Sequence, residues 1–143
     1  MSATAAAALL AIDQALKALA LTVQYEYRCV ADTVMCFGLA ANARSGFGLI
    51  AADSVWFVFL IPPVLVGVCV LVLRTSDPPW SYYAVTLLAT GTSSNWLDRL
   101  RLGFVVDYVG PRLPTTNLAD WCVAAGIALL VYARLRHPRA PRA

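Results

Sequence analysis

Charge is scarce in this 143-residue sequence: Asp, Glu, Lys and Arg make up only 13% of it, about half the share usual in a soluble domain, while 60% is apolar. A water-soluble globule is excluded on that balance. Histidine is nearly absent, with His137 alone near the C-terminus, and the four cysteines, Cys29, Cys36, Cys69 and Cys122, form no CxxC pair. No metal site is expected from such a donor set. Positive charge is missing from the first four residues, and the apolar run that follows is interrupted by Asp13 and Lys17, so the start does not read as a cleavable signal peptide. The net charge of +3 comes from thinly spread basic residues, apart from the cluster Arg134, Arg136, Arg139 and Arg142. A cluster of that kind suits anionic lipid, not nucleic acid.

Long apolar runs are what the sequence has in quantity. They cover 5–23, 49–73, 80–97 and 118–135, each close to the ~20 residues that a helix needs to cross a ~30 Å hydrocarbon layer. The expected fold class is therefore an all-α membrane protein with four transmembrane helices, built as one domain over 1–143. Pro62 and Pro63 fall inside the second run and are expected to kink it. With both termini cytoplasmic, the inner side carries Arg74 and the four clustered arginines, and the outer side carries Arg28, Arg44, Arg99, Arg101 and Arg112. Five against five is a tie, which the density of the C-terminal cluster tips toward cytoplasmic termini. Cys29 and Cys36 read as two unpaired thiols, with a bridge as the alternative if their loop faces an oxidising compartment.

Polar residues inside these runs are costly and so informative. Asp13 and Lys17, four apart, share one helical face and read as a buried structural pair. Asn95, Asp98 and Arg99 share a face at the end of the third run, where the helix dipole opposes Asp98, so Arg99 or Arg101 is the expected partner holding it. The stretch from Gly103 to Gly110 is β-branched and aromatic, an extended element at the membrane surface. Alternation along it sets Asp107 with Val105 and Val109, and desolvation there would raise the carboxyl pKa. Asn117 is a good N-cap for the fourth helix, with Asp120 in its first turn. Three carboxylates, Asp98, Asp107 and Asp120, thus crowd into 23 positions around one loop. Two carboxyls held close cannot both ionise readily, which is the arrangement of an aspartyl protease.

At these residues the sequence resembles the signal peptidase II (lipoprotein signal peptidase) family over nearly its whole length. Asp13, Gln14 and Lys17 resemble its D-Q-x-x-K, Asn42 with Phe47 and Gly48 its N-x-G-x-x-F-G, and Asn95, Asp98 and Arg99 its N-x-x-D-R. Val105, Val106 and Asp107 match V-V-D, and Asn117, Ala119 and Asp120 match N-x-A-D. The resemblance implies a monomeric aspartyl endopeptidase of the bacterial plasma membrane, with a small extended element on the extracytoplasmic side. It would remove signal peptides from diacylglyceryl-cysteine prolipoproteins, cutting before the lipidated Cys, with no metal or organic cofactor and with membrane lipid as its other partner. Asp107 and Asp120 would be catalytic, Asn95, Asp98, Arg99 and Asn117 would position the dyad and the substrate, Asn42 would help hold substrate, and Asp13 and Lys17 would be structural. Several residues depart from the family pattern: Arg44, Ser45 and Gly46 in the substrate-side segment, Ser94 for glycine, Thr116 for phenylalanine and Trp121 for a small residue. The two aspartates, 13 apart, are also closer in sequence than is usual for the family. Two rival readings remain at this stage: a catalytically silent relative that binds lipidated peptides, and a proton-linked transporter built on Asp13 and Lys17. The second and fourth runs offer a transporter almost no interior polar residues.

Overall fold

A computed structural model describes residues 1–22, 28–30, 35–42, 44–45, 50–51, 55–75, 80–110 and 115–136. Four helices dominate it: α1 (Ala3–Thr22), α2 (Val55–Thr75), α3 (Trp80–Leu102) and α4 (Leu118–Arg136). Four short strands, β1 (Arg28–Val30), β2 (Met35–Asn42), β3 (Arg44–Ser45) and β4 (Ile50–Ala51), come between α1 and α2, and β5 (Val105–Gly110) comes between α3 and α4. Each helix lies on one of the apolar runs, with two boundaries displaced. The second helix starts at 55 and not 49, because Ile50–Ala51 is paired with Arg44–Ser45 as a separate two-stranded ladder. The third runs to Leu102, past the expected end at 97, and so keeps Asp98, Arg99 and Arg101 on its last turns. It stops at Gly103, whose φ of 81° only glycine adopts without strain and whose N–H donates to the Arg99 carbonyl at 3.1 Å. The α2 helix continues unbroken through Pro62 and Pro63.

Burial is inverted relative to a soluble protein. The fully buried side chains include Asp13, Lys17, Ser81, Ser94, Asp98, Asp107 and Asn117, while Phe59, Leu60, Val64, Val66, Leu71, Ile127, Val131 and Leu135 are exposed on α2 and α4. Apolar surface of that extent is stable only against another apolar phase. Among the described residues, α1 alone is by itself long and apolar enough to cross a membrane, and Phe59–Val72 and Leu118–Ala133 are shorter apolar stretches. The α3 and α4 helices pack most extensively. Their backbones meet at Gly91, where a Cβ would run into the Ala119 carbonyl and the Val123 side chain.

The larger sheet has the order β1-β2-β5, antiparallel throughout. It rests on the C-terminal half of α1, where Ala20, Val106 and Tyr108 form a buried cluster with Leu16, Leu21, Phe37 and Phe104 around it. Pairing between β2 and β5 shifts by one residue between Phe37 and Ala40: Phe37 faces Val109, but Ala40 faces Asp107 and Asn42 faces Val105. Successive strand residues alternate faces, so this bulge decides which face Asn42 occupies. Without it Asn42 would point away from Asp107. Cys36, opposite Cys29 in the β1–β2 register, is disulfide-bonded, whereas Cys69 and Cys122 are free thiols. The expectation of an unpaired thiol is corrected at Cys36, and the Cys29 side chain lies outside what is described. Spacing in sequence does not reveal that the two positions face each other across an antiparallel ladder. His137 and two positions of the basic cluster, Arg139 and Arg142, lie outside the described residues.

Candidate active site

Asp107 sits mid-way along β5 with no solvent exposure, between Val106 and Tyr108, which are also buried. One of its oxygens, Oδ1, accepts from Asn117 Nδ2 at 2.7 Å, and the other, Oδ2, accepts from Asn42 Nδ2 at 2.9 Å and from the Thr115 hydroxyl at 3.3 Å. Burial pushes its pKa up to about 6; the Asn42 bond opposes this, the Asp120 charge adds to it, and the bonds from Asn117 and Thr115 oppose it. The direction is the one expected from its apolar strand face. Tyr108 beside it is likewise pushed up by burial.

The second carboxylate is delivered by a helix start. Asn117 caps α4: its Oδ1 accepts the Asp120 N–H at 2.8 Å, as the sequence predicted. The other first-turn donors are taken from outside the helix. Leu118 N–H donates to the Tyr108 hydroxyl at 2.9 Å, and Ala119 N–H donates to Asp13 Oδ1 at 3.2 Å. A carboxylate from α1 therefore completes the cap of α4, where the dipole favours negative charge. Asp120 itself accepts from Asn95 Nδ2 at 2.8 Å through Oδ1 and from the Thr116 hydroxyl at 3.3 Å through Oδ2. Thr116 is held for this by a bridge to Val109, its N–H donating to the Val109 carbonyl at 2.8 Å. The Asn117 side chain thus touches both aspartates, one through its amide and one through its carbonyl oxygen.

Behind the two aspartates lies a buried polar cluster contributed by α1 and α3. Lys17 Nζ is 2.8 Å from Asp13 Oδ2, 2.8 Å from Asp98 Oδ2 and 2.8 Å from Asn95 Oδ1. Asp98 also accepts from Gln14 Nε2 at 3.0 Å and from Val106 N–H at 3.2 Å. Asp98 is ion-paired with Lys17, from a helix about 80 residues earlier in the chain, a partner that the expectation of Arg99 or Arg101 did not include. Local spacing along α3 carries no information about α1. Arg101 instead donates to Gln14 Oε1 at 3.3 Å, while the buried Arg99 guanidinium is attracted by Asp120, Asp107 and Asp98 together. Asp13 accepts from the Ser94 hydroxyl at 2.6 Å and from the Tyr108 hydroxyl at 2.9 Å.

Every site residue named from the sequence falls in this one cluster. Asn42 reaches Asp107 directly, and the Asp13 and Lys17 pair forms but is not separate from the aspartates, since one amide joins Lys17 to Asp120. Sequence reasoning missed Gln14, Ser94, Tyr108, Thr115 and Thr116 as participants. Only Gln14 carried a signal, its place inside D-Q-x-x-K; a serine, a tyrosine and two threonines on apolar segments look like ordinary packing. Of the departures from the family pattern, Ser94 and Thr116 each add a hydroxyl to the network, and Trp121 points outward at 62% exposure. The Arg44 side chain lies outside what is described.

Chemically, the cluster holds four carboxylates, Asp13, Asp98, Asp107 and Asp120, against two cations, Lys17 and Arg99. One proton retained between Asp107 and Asp120 lowers the uncompensated charge, and such a pair is equipped to give a proton and take one in the same step.

Comparison with known proteins shows the family and the fold. Residues 5–136 match the family model described as Signal peptidase (SPase) II. A lipoprotein signal peptidase of Pelotomaculum thermopropionicum is 34% identical over 134 residues, covering 90% of this chain and 88% of that one. Its counterparts in Parasynechococcus marenigrum and Lactiplantibacillus plantarum are 33% and 29% identical, covering 85% and 90% of this chain and 79% and 90% of theirs. In fold the chain is similar to a bacterial membrane enzyme solved by the in meso method at 2.3 Å resolution, with a TM-score of 0.82 and 21% identity over 96% of this chain and 88% of that one. With a family model spanning most of its length and relatives of this identity, the chain belongs to the signal peptidase II family, the lipoprotein signal peptidases, which are aspartic peptidases.

Proposed function

We propose that the protein removes signal peptides from diacylglyceryl-cysteine prolipoproteins, with Asp107 and Asp120 as the catalytic dyad. The observation that carries this reading is the placement of both aspartates by one residue, Asn117, whose amide holds the Asp107 carboxylate and whose oxygen holds the Asp120 backbone N–H, with Asp107 fully buried and its pKa raised to about 6. Asp107 enters as the protonated partner and Asp120 as the carboxylate. Asp120 takes a proton from a water held between them, the hydroxide attacks the scissile carbonyl, and Asp107 passes its proton to the carbonyl oxygen. The resulting diol collapses: Asp120 returns its proton to the leaving nitrogen, the C–N bond breaks, and a diol hydroxyl reprotonates Asp107. Atoms balance as one peptide bond and one water becoming an acid and an amine. Asn42, Asn95 and Asn117 hold the carboxyls in register, and Arg99 offsets the negative charge around them.

The four helices are read as four membrane spans with both termini cytoplasmic, and the chain as a working monomer. The strands leave from the α1–α2 and α3–α4 connections, which lie on one side of a membrane crossed four times. The disulfide at Cys36 supports an oxidising, extracytoplasmic setting for that side. A lipid-anchored precursor in the outer leaflet then presents its scissile bond at the depth of the dyad, so that anchoring supplies much of the orientation.

The test is cleavage of a diacylglyceryl-modified precursor by purified protein. Asp107→Asn and Asp120→Asn are each expected to abolish turnover while the protein stays folded in detergent, and the double variant is expected to be no worse than either. Near wild-type turnover by either variant refutes the dyad. Failure of the wild type on any lipidated precursor would favour a silent relative.

A further inference from the structure

We propose that Lys17 is a positioning residue for the dyad: its ammonium fixes the Asn95 carboxamide so that the amide N–H is held on Asp120 Oδ1. The inference rests on the dyad reading above. A carboxamide has an accepting end and a donating end, and beside a carboxylate only the donating end is attractive. Lys17 has donors alone, so its 2.8 Å contact to Asn95 Oδ1 compels Nδ2 to face Asp120, where it lies 2.8 Å from Oδ1. Released from Lys17, the amide is free to turn its oxygen toward Asp120, and the carboxylate loses the donor that aims it.

Lys17 has no freedom of its own. Its three contacts at 2.8 Å, to Asp13, Asp98 and Asn95, use all three ammonium hydrogens, and the side chain is only 2% exposed. Each anchoring carboxylate is fixed in turn to an element that carries the dyad. Asp13 accepts from Tyr108 on β5 and from Ala119 N–H at the start of α4, and Asp98 accepts from Val106 N–H on β5. The ammonium therefore ties the position of Asn95 to the same two elements that place Asp107 and Asp120. Two of the ammonium hydrogens go to carboxylates, and the third goes to an amide whose other end meets the reacting pair, which links the ammonium directly to the dyad.

The groups around this relay are Asp13 on α1, Asp98 and Arg99 on α3, Asp107 and Tyr108 on β5 and Asp120 on α4. Because several ionisable groups lie within one cluster, the decisive readouts are kcat and KM taken separately, with thermal stability measured on the same full-length samples in detergent.

Asn95→Asp keeps an acceptor for Lys17 but replaces the donor facing Asp120 with another acceptor. Its kcat is expected to fall roughly 10- to 100-fold with KM close to wild type, and its unfolding temperature to fall as well, because a fifth carboxylate joins four already opposed by two cations. Lys17→Met and Asn95→Ala are each expected to lower kcat, and their double variant to lower it no further than the worse single, as for two residues acting through one contact. If Lys17→Met does not fold, Asn95→Asp decides by itself. A kcat within twofold of wild type in folded Asn95→Asp, or losses for Lys17→Met and Asn95→Ala that multiply in the double variant, overturns the proposal. Asp107→Asn and Asp120→Asn run alongside: if they turn over, the dyad reading fails first, and if they are dead while Asn95→Asp is fully active, only the role given to Lys17 fails.

Discussion

Replacing Asp107 by Asn should change how stability depends on pH more than how large it is. The carboxyl has no solvent exposure and its pKa is raised from 3.8 to about 6, with burial as the largest cause. An acid raised on folding keeps its proton in the native state over a range where the unfolded chain has lost it. The native state is therefore favoured by this group below pH 4, and the advantage is lost as pH rises through 6. Two pH units at 1.36 kcal/mol each make the difference about 3 kcal/mol across the window. For a chain of this size that is on the order of 5 to 10 °C in unfolding temperature. The assay is thermal unfolding in detergent, followed by intrinsic tryptophan fluorescence from pH 4 to 7.5, for wild type and Asp107→Asn. Absolute temperatures are not the comparison, because Asn must rearrange its bonds with Asn42, Asn117 and Thr115. The wild type should lose several degrees more than the variant over the interval, with Asp120 contributing to the titration of the pair. Parallel curves would mean that Asp107 ionises in the folded protein as it does in the unfolded chain, and the reasoning about its environment would fail.

Asp13→Asn should lower the unfolding temperature by the equivalent of about 2 kcal/mol while some cleavage survives, because Lys17 keeps Asp98 as a counter-charge and the new amide oxygen still accepts from Ala119 N–H. Complete loss of turnover at unchanged thermal stability would contradict that reading. Gly91→Ala should cost about 1 to 3 kcal/mol or prevent folding, since its methyl meets the Ala119 carbonyl, whereas Gly67→Ala, with nothing within 4 Å, should be neutral or slightly stabilising. Equal thermal stability of the two glycine variants would show that α3 and α4 do not meet at backbone contact.

The four apolar runs, the strand around Asp107 and the cap at Asn117 were legible in the sequence because each follows from neighbours within one turn or one strand. Hydropathy over some 20 residues, alternation by two and an Asn three before an Asp need no knowledge of the rest of the chain. The cluster of five motifs likewise marked Asp107 and Asp120 before any geometry was known. What the sequence left undetermined depends on which elements meet. Lys17 pairs with Asp98 because α1 packs on α3 with the ammonium inside. Asn42 faces Asp107 only because β2 bulges between Phe37 and Ala40, a shift that a strand pattern does not record. The disulfide-bonded Cys36 stands opposite Cys29 through the β1–β2 register, which spacing along the chain does not show. The free N–H groups of α4 are satisfied by Tyr108 and Asp13, from a strand and a helix remote in sequence. In an apolar surrounding such donors and charges must find partners inside the protein, and three-dimensional packing alone decides which partners are within reach.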